Sequence, residues 1–182
     1  MIGSQNTISG SVATIKHYIG EMYFLRAYEY FKKLQLFGDF PIINQPLADE
    51  MEALREASKR FPRNEVARFI ISDLDKAYAY MSDVDMATTR INKDAAMLVK
   101  SRVALFEATW LQNFKGTAFV PGGEGWPGAS LHNNYQYPSG NIDNEVKYFL
   151  EQAVEASKLV ADKYKGSLTE NTGVLQLSLI HI

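Results

Sequence analysis

The chain has no cysteine, so disulfide scaffolds, thiolate metal sites and cysteine nucleophiles are excluded, and a reducing and an oxidising compartment suit it equally. It also lacks an excess of charge of one sign. Nineteen Lys+Arg against twenty-one Asp+Glu give a net charge of −2, which leaves no electrostatic footprint for nucleic acid and no polybasic membrane anchor. No apolar run is long enough to span a bilayer. The polar opening MIGSQNTISGSVATIKHY has neither the charged n-region nor the apolar h-region of a signal peptide. Histidine is scarce as well. His17, His132 and His181 have no carboxylate or second histidine at ligand spacing on a shared helix face, so no metal or cofactor is expected. His17 reads as a satisfied helix histidine. There is no P-loop, no G-x-S-x-G elbow and no dinucleotide fingerprint. Gly122-Gly123-Glu124-Gly125 leads into no helix N-terminus and, beside Pro127 and Gly128, reads as a plain turn.

What is present is apolar and helical. With 182 residues, 46% of them hydrophobic and 22% charged, the chain can form a full-sized core, as one globular unit or part of a larger one. Four long helices are predicted. The first runs from about Ser11 to Phe37, with Ile15, Tyr18, Ile19, Met22 and Leu25 as one buried stripe and Ala27, Tyr28, Phe31 and Leu34 as a second. Gly38 stops it and Pro41 prevents its resumption, so Asp39 to Ile43 should turn into a short extended segment. The second helix runs from about Asn64 to Met81 behind Pro62, and buries Val66, Phe69, Ile70, Leu74, Ala77 and Met81. The third starts at Asn92, an N-cap, and reaches about Asn113, with Ala95, Val99, Arg102, Val103, Phe106 and Trp110 on one face. The fourth starts near the capping residue Asp143, buries Val146, Phe149, Leu150, Ala153, Ser157, Val160 and Tyr164, and ends at Gly166. Asp49 to Lys59 reads as a surface turn of helix. No stretch alternates as a strand does, so the class is all-α.

The run Phe24-Leu25-Arg26-Ala27, Tyr30-Phe31, Leu34 and Leu36-Phe37-Gly38-Asp39, closed by Pro41, resembles the FLRAxxYFxLxxLFGDxP signature of the SusD/RagB family. Pro62 to Val66 leading into Phe69-Ile70-Ile71-Ser72-Asp73-Leu74 resembles that family's second signature. Arg90 to Ala96 leading into Val99 to Leu105 resembles its third, and Phe149 to Tyr164 its next helix. The resemblance covers Gly20 to Leu168 in order. It implies degenerate tetratricopeptide-like helical repeats, to which recurrent small residues such as Ala104, Ala108, Ala153, Ala156 and Ala161 are suited. It further implies a glycan-binding lipoprotein of the outer-membrane surface. Such a protein is not an enzyme; it binds an oligosaccharide or polysaccharide and works with a SusC-type TonB-dependent transporter against which its repeats pack. Family members attach through a lipidated cysteine that this chain lacks. The chain is therefore expected to be a truncated internal fragment, with a helical-repeat region over 1–168 and a tail over 169–182. Leu177 to Ile182 is either non-native sequence or a short C-terminal strand or docking segment.

Between the third and fourth helices, 116–141 is long for a helix–helix connection, and such loops are usually functional or disordered. Trp126, Tyr135 and Tyr137 sit in it with Asn133, Asn134, His132, Gln136 and Ser139. Flat aromatic faces pack on the C–H faces of sugars while amides bond the hydroxyls. Trp126, Tyr135, Tyr137, Asn133 and Asn134 are accordingly the candidate ligand residues. The same aromatics could instead pin the loop onto the helices. Trp110 reads as core, Arg26 and Arg102 as members of ion pairs, and Asp39 as a cap on its own turn.

Paired carboxylates for glycoside hydrolysis would need two acids about 5 to 10 Å apart across a sugar. Asp73 with Asp75 points opposite ways on a helix, and Asp83 with Asp85 reads as an exposed helix end. The competing class is a soluble tetratricopeptide-like adaptor that binds a peptide or protein partner in a helical groove.

Overall fold

The first helix, α1 (Val12–Phe37), stops where the glycine allows it to. Gly38 takes φ 67°, a conformation disfavoured for residues with a Cβ, and its N–H closes on Leu34 O at 2.9 Å. The chain then extends, and Phe40 and Phe61 exchange two backbone hydrogen bonds of 3.1 Å in an isolated antiparallel bridge. In this computed structural model residues 10–82 and 89–167 are described. Asp83, Asp85, His181, the 169–182 tail and its Leu177–Ile182 segment lie outside them.

Between the two bridge residues a short helix, α2 (Met51–Ala57), buries no residue, as its charged sequence implies. α3 (Arg63–Tyr80) begins directly after Pro62, and α4 (Lys93–Asn113) begins after Asn92, whose side chain accepts the Ala95 N–H at 2.8 Å. α5 (Ile142–Tyr164) is capped by Asn141, which accepts the Asn144 N–H at 2.9 Å. The expected cap, Asp143, lies inside the first turn instead, where its charge suits the positive helix end and meets Lys115 Nζ at 2.6 Å. A single 3₁₀ turn, Lys165–Ser167, follows α5.

The helices form a row: α1 packs on α3, α3 on α4 and α4 on α5, while α1 and α4 meet marginally. At that margin Phe31 sets its ring edge on Phe106, with centroids 5.6 Å apart. Ala27, Phe31 and Leu34 meet Val66, Ile70, Leu74 and Ala77; Met97, Val103, Ala104, Ala108 and Leu111 continue the core to Phe149, Ala153, Ala156 and Val160. Small residues at the seams let helices approach closely. There is no strand among the described residues, and the fold is all-α.

Three buried faces differ from the periodicity reading. On α1 the stripe Tyr18, Met22 and Leu25 is exposed, with Met22 61% accessible, because α1 ends the row and only its other face meets α3. His17, Gly20, Glu21, Ala27, Phe31 and Leu34 are buried instead. On α4 the buried face carries Ala96, Met97, Lys100, Val103, Ala104, Glu107, Ala108 and Leu111, which leaves Arg102 exposed. On α5 Ser157 and Tyr164 are exposed and Leu150 is half exposed.

Candidate functional site

The long loop folds back over the start of α3, and a buried polar network holds it there. Asp39, one residue beyond the helix stop, accepts the Arg63 N–H on Oδ1 at 2.9 Å and the Trp126 indole N–H on Oδ2 at 2.8 Å. It thus caps a helix 24 residues away rather than its own turn. Arg63, the first residue of α3, forms a bidentate ion pair with Glu107 of α4, with Nη2 2.9 Å from Oε2, and its guanidinium lies 4.1 Å from the centre of the Trp110 ring. Trp110 is therefore a half-buried stacking partner; its indole N–H donates to Phe119 O at 3.1 Å.

One turn along α3, Arg68 reaches Glu145 of α5 with Nε 2.7 Å from Oε1, and donates to Ser139 Oγ at 2.7 Å. Asn64 donates to the same carboxylate and accepts the Tyr135 hydroxyl at 3.0 Å. Tyr137 donates to Pro121 O at 2.6 Å.

Burial dominates the electrostatics of this network. It pushes Asp39 above the ordinary carboxylate range despite the bonds from Trp126 and Arg63, and pushes the fully buried Glu107 up despite Arg63. Burial also raises Glu145, but the hydrogen bonds from Arg68, Asn64 and Ser139 outweigh it and hold that carboxyl below the ordinary range. Tyr135 and Tyr137 are pushed up by burial, so both hydroxyls keep their protons.

The five candidate ligand residues separate into two groups. Trp126 is 5% exposed, stacks with His132 at 5.9 Å and meets Tyr135 at 5.6 Å; Tyr135 and Tyr137 are half-buried, edge to face at 5.2 Å. Asn133 and Asn134 are exposed at the loop tip, with Asn134 at φ 54°, a left-handed conformation asparagine tolerates. His132 ties this tip down through Nε2 to Arg60 O at 2.8 Å.

The glycine cluster forms turns, as read: Gly122 and Gly125 take positive φ, and a Cβ on Gly123 would fall 1.9 Å from Thr117 O. Among the described residues no buried side-chain nitrogen or oxygen lacks a hydrogen-bond partner, and no group of acids and histidines is placed to hold a metal. The network consists of satisfied pairs, which suits it to rigidity.

The other residues singled out from sequence are ion-paired or free. Arg26 grips the fully buried Asp73 with Nε 2.6 Å from Oδ2. Asp75 faces elsewhere and pairs with Lys100 at 2.7 Å, so Asp73 and Asp75 form no catalytic couple. His17 is buried; Nδ1 accepts the Ser82 N–H and Nε2 meets Ile91 O, both at 3.1 Å. Arg102 lines an open groove of about 480 Å³ with Leu98, Ser101, Leu105, Phe106 and Thr109.

Periodicity could not indicate Arg63, Asn64, Arg68, Glu107 and Glu145, because their partners lie 44 to 81 residues away. One local signal was present: Glu107 sits in line with Val103, Ala104 and Leu111, and an acid on an apolar face needs a buried cation.

Residues 5–105 match the model of a SusD-like family described as starch-binding and associating with the outer membrane. Over 100 residues the chain is 30% identical to SusD-like protein P2 of Formosa agariphila, a stretch covering 55% of this chain and 19% of that relative. The chain thus spans about a fifth of the relative's length. No solved structure matches it.

Proposed function

The chain belongs to the SusD-like family, and from that premise we propose that it is the helical-repeat part of a non-catalytic glycan-binding lipoprotein at the outer-membrane surface. In this reading the protein captures an oligosaccharide or polysaccharide and hands it to a SusC-type TonB-dependent transporter. The family match over residues 5–105 carries the proposal. The loop anchored by Trp126 supports it, because it presents the amides of Asn133 and Asn134 to solvent on a rigid base. Tyr135 and Tyr137 hold that base and offer ring edges beside the amides. The repeat region covers 1–168, and the helices present the face that meets the transporter.

Native gel electrophoresis through soluble glycans tests the binding half. Sugar-dependent retardation that weakens in Asn133→Ala is the expected result, and equal mobility with and without every glycan removes the proposal. Co-purification tests the partner half: the intact protein should recover its transporter, and a form lacking 11–81 should not.

The groove on α4 favours a second reading, a soluble adaptor that holds a peptide between Leu98, Arg102 and Leu105. Peptide binding without any glycan binding would favour it.

A further inference from the structure

We propose that Phe37, Phe40 and Phe61, with Arg60, Asn133 and Asn134 at their edge, form a platform that binds the face of a neutral sugar ring. The inference rests on the glycan reading and assigns the flat contact surface to residues outside the long loop. Sugar recognition needs two things together: an accessible aromatic plane for the axial C–H face, and hydrogen-bonding groups at its rim for the hydroxyls.

The loop supplies rim groups, but its tryptophan is 5% exposed and already stacked, so the plane must come from elsewhere. The helix stop provides it. The turn at Gly38 brings Phe37 and Phe40 into a stacked pair with centroids 5.8 Å apart and planes 20° apart, which braces the exposed Phe37 ring against Phe40. The antiparallel bridge places Phe40 directly opposite Phe61, and directly opposed residues project to the same side of such a pair. Phe37 is 54% and Phe61 38% exposed. Phe40 is half-buried and its orientation is set by the Tyr30 ring, edge to face at 6.0 Å. Large aromatics left facing water on a turn this well braced form a surface ready for an apolar plane.

The rim is adjacent. His132 holds the loop tip to Arg60 O at 2.8 Å, which brings Asn133 and Asn134 beside the residue that precedes Phe61. Asn133 and Asn134 are exposed donors and acceptors, and among the described residues the exposed Arg60 guanidinium makes no ion pair or hydrogen bond. One guanidinium beside two amides and three rings suits hydroxyls on an uncharged ring. The nearby carboxylate of Asp39 is already engaged by the Arg63 N–H and the Trp126 indole.

The test is native electrophoresis of the whole protein through soluble starch, run beside a panel of other uncharged polysaccharides and one carboxylated polysaccharide. Phe37→Ala and Phe61→Ala should each weaken retardation about two- to tenfold, as loss of one ring contact does. Phe61→Trp should retain it, and Leu98→Ala on α4 should leave it unchanged. A second set, Arg60→Gln and Asn133→Ala, alters exposed rim groups without touching the packing and should weaken retardation as well. Unchanged retardation in Phe37→Ala and Phe61→Ala, from a protein that is retarded, overturns the platform and leaves the glycan reading standing. No retardation of the natural protein by any polysaccharide overturns both. Retardation by the carboxylated polysaccharide alone overturns the neutral assignment.

Discussion

Trp126 donates its indole N–H to Asp39 Oδ2 at 2.8 Å, joining residues 87 positions apart. That bond fastens the middle of the long loop to the point where α1 ends. Trp126→Phe keeps an aromatic ring but leaves a carboxylate oxygen unsatisfied in a buried place, which should cost about 1–3 kcal/mol. For a chain of this size each kcal/mol lowers the thermal midpoint by roughly 2–4 °C, so the variant should melt measurably earlier.

Asp39 and Glu145 should give stability-versus-pH slopes of opposite sign. Burial sets the folded Asp39 above its unfolded value, so the ionised form opposes folding at neutral pH. As pH falls from that raised value towards about 3.9, the natural protein should gain stability relative to Asp39→Asn. Glu145 is held below its unfolded value, so its contribution is full above about pH 4.3 and is lost as pH falls through the lower folded value. Urea unfolding of the natural protein, Asp39→Asn and Glu145→Gln across a pH series separates the two slopes.

Glu107→Ala should be among the most damaging single changes, because it strands the guanidinium of Arg63 in a buried site. The expected cost is about 3–5 kcal/mol, and the double replacement Arg63→Met with Glu107→Met should recover much of it. Denaturant midpoints of the natural protein and the two variants decide this.

Gly123→Ala should disturb the loop and spare the helices. The added Cβ would lie 1.9 Å from the backbone oxygen of Thr117, which no side-chain adjustment relieves. A loss of about 1–3 kcal/mol is expected, with faster proteolytic cleavage within 114–141 and unchanged helical circular dichroism.

Local chemistry made the helix ends legible. Gly38, Pro62 and Asn92 act on the neighbouring few residues, and each marks a boundary in the structure where the sequence places it. Asn141 and Asp143 are both good caps two residues apart, and only backbone conformation, which the sequence does not display, decides for Asn141. The faces were harder to read. Tyr18, Met22 and Leu25 have the periodicity of a buried stripe, but a row of helices has ends, and among the described residues no helix packs on the outer side of α1. Trp126 was legible as an important loop residue. That its N–H would be taken by Asp39 depends on a contact across 87 positions that no short window contains.

Glu145 has a mechanical consequence. A row in which each helix touches only its neighbours tends to melt from its ends, one layer at a time. The Glu145 carboxylate bonds past α4 to Asn64 and Arg68 on α3, and the Arg68 guanidinium also lies 3.7 Å from the centre of the Tyr148 ring on α5. This strut couples α5 to α3, so α5 cannot peel away without disrupting the start of α3. At that start sits Arg63, whose N–H is bound to Asp39 and so to the Trp126 anchor of the loop. Amide hydrogens at the first turn of α5 should therefore exchange in concert with those of α3, not ahead of them, and the loop's geometry is guarded by the far end of the array.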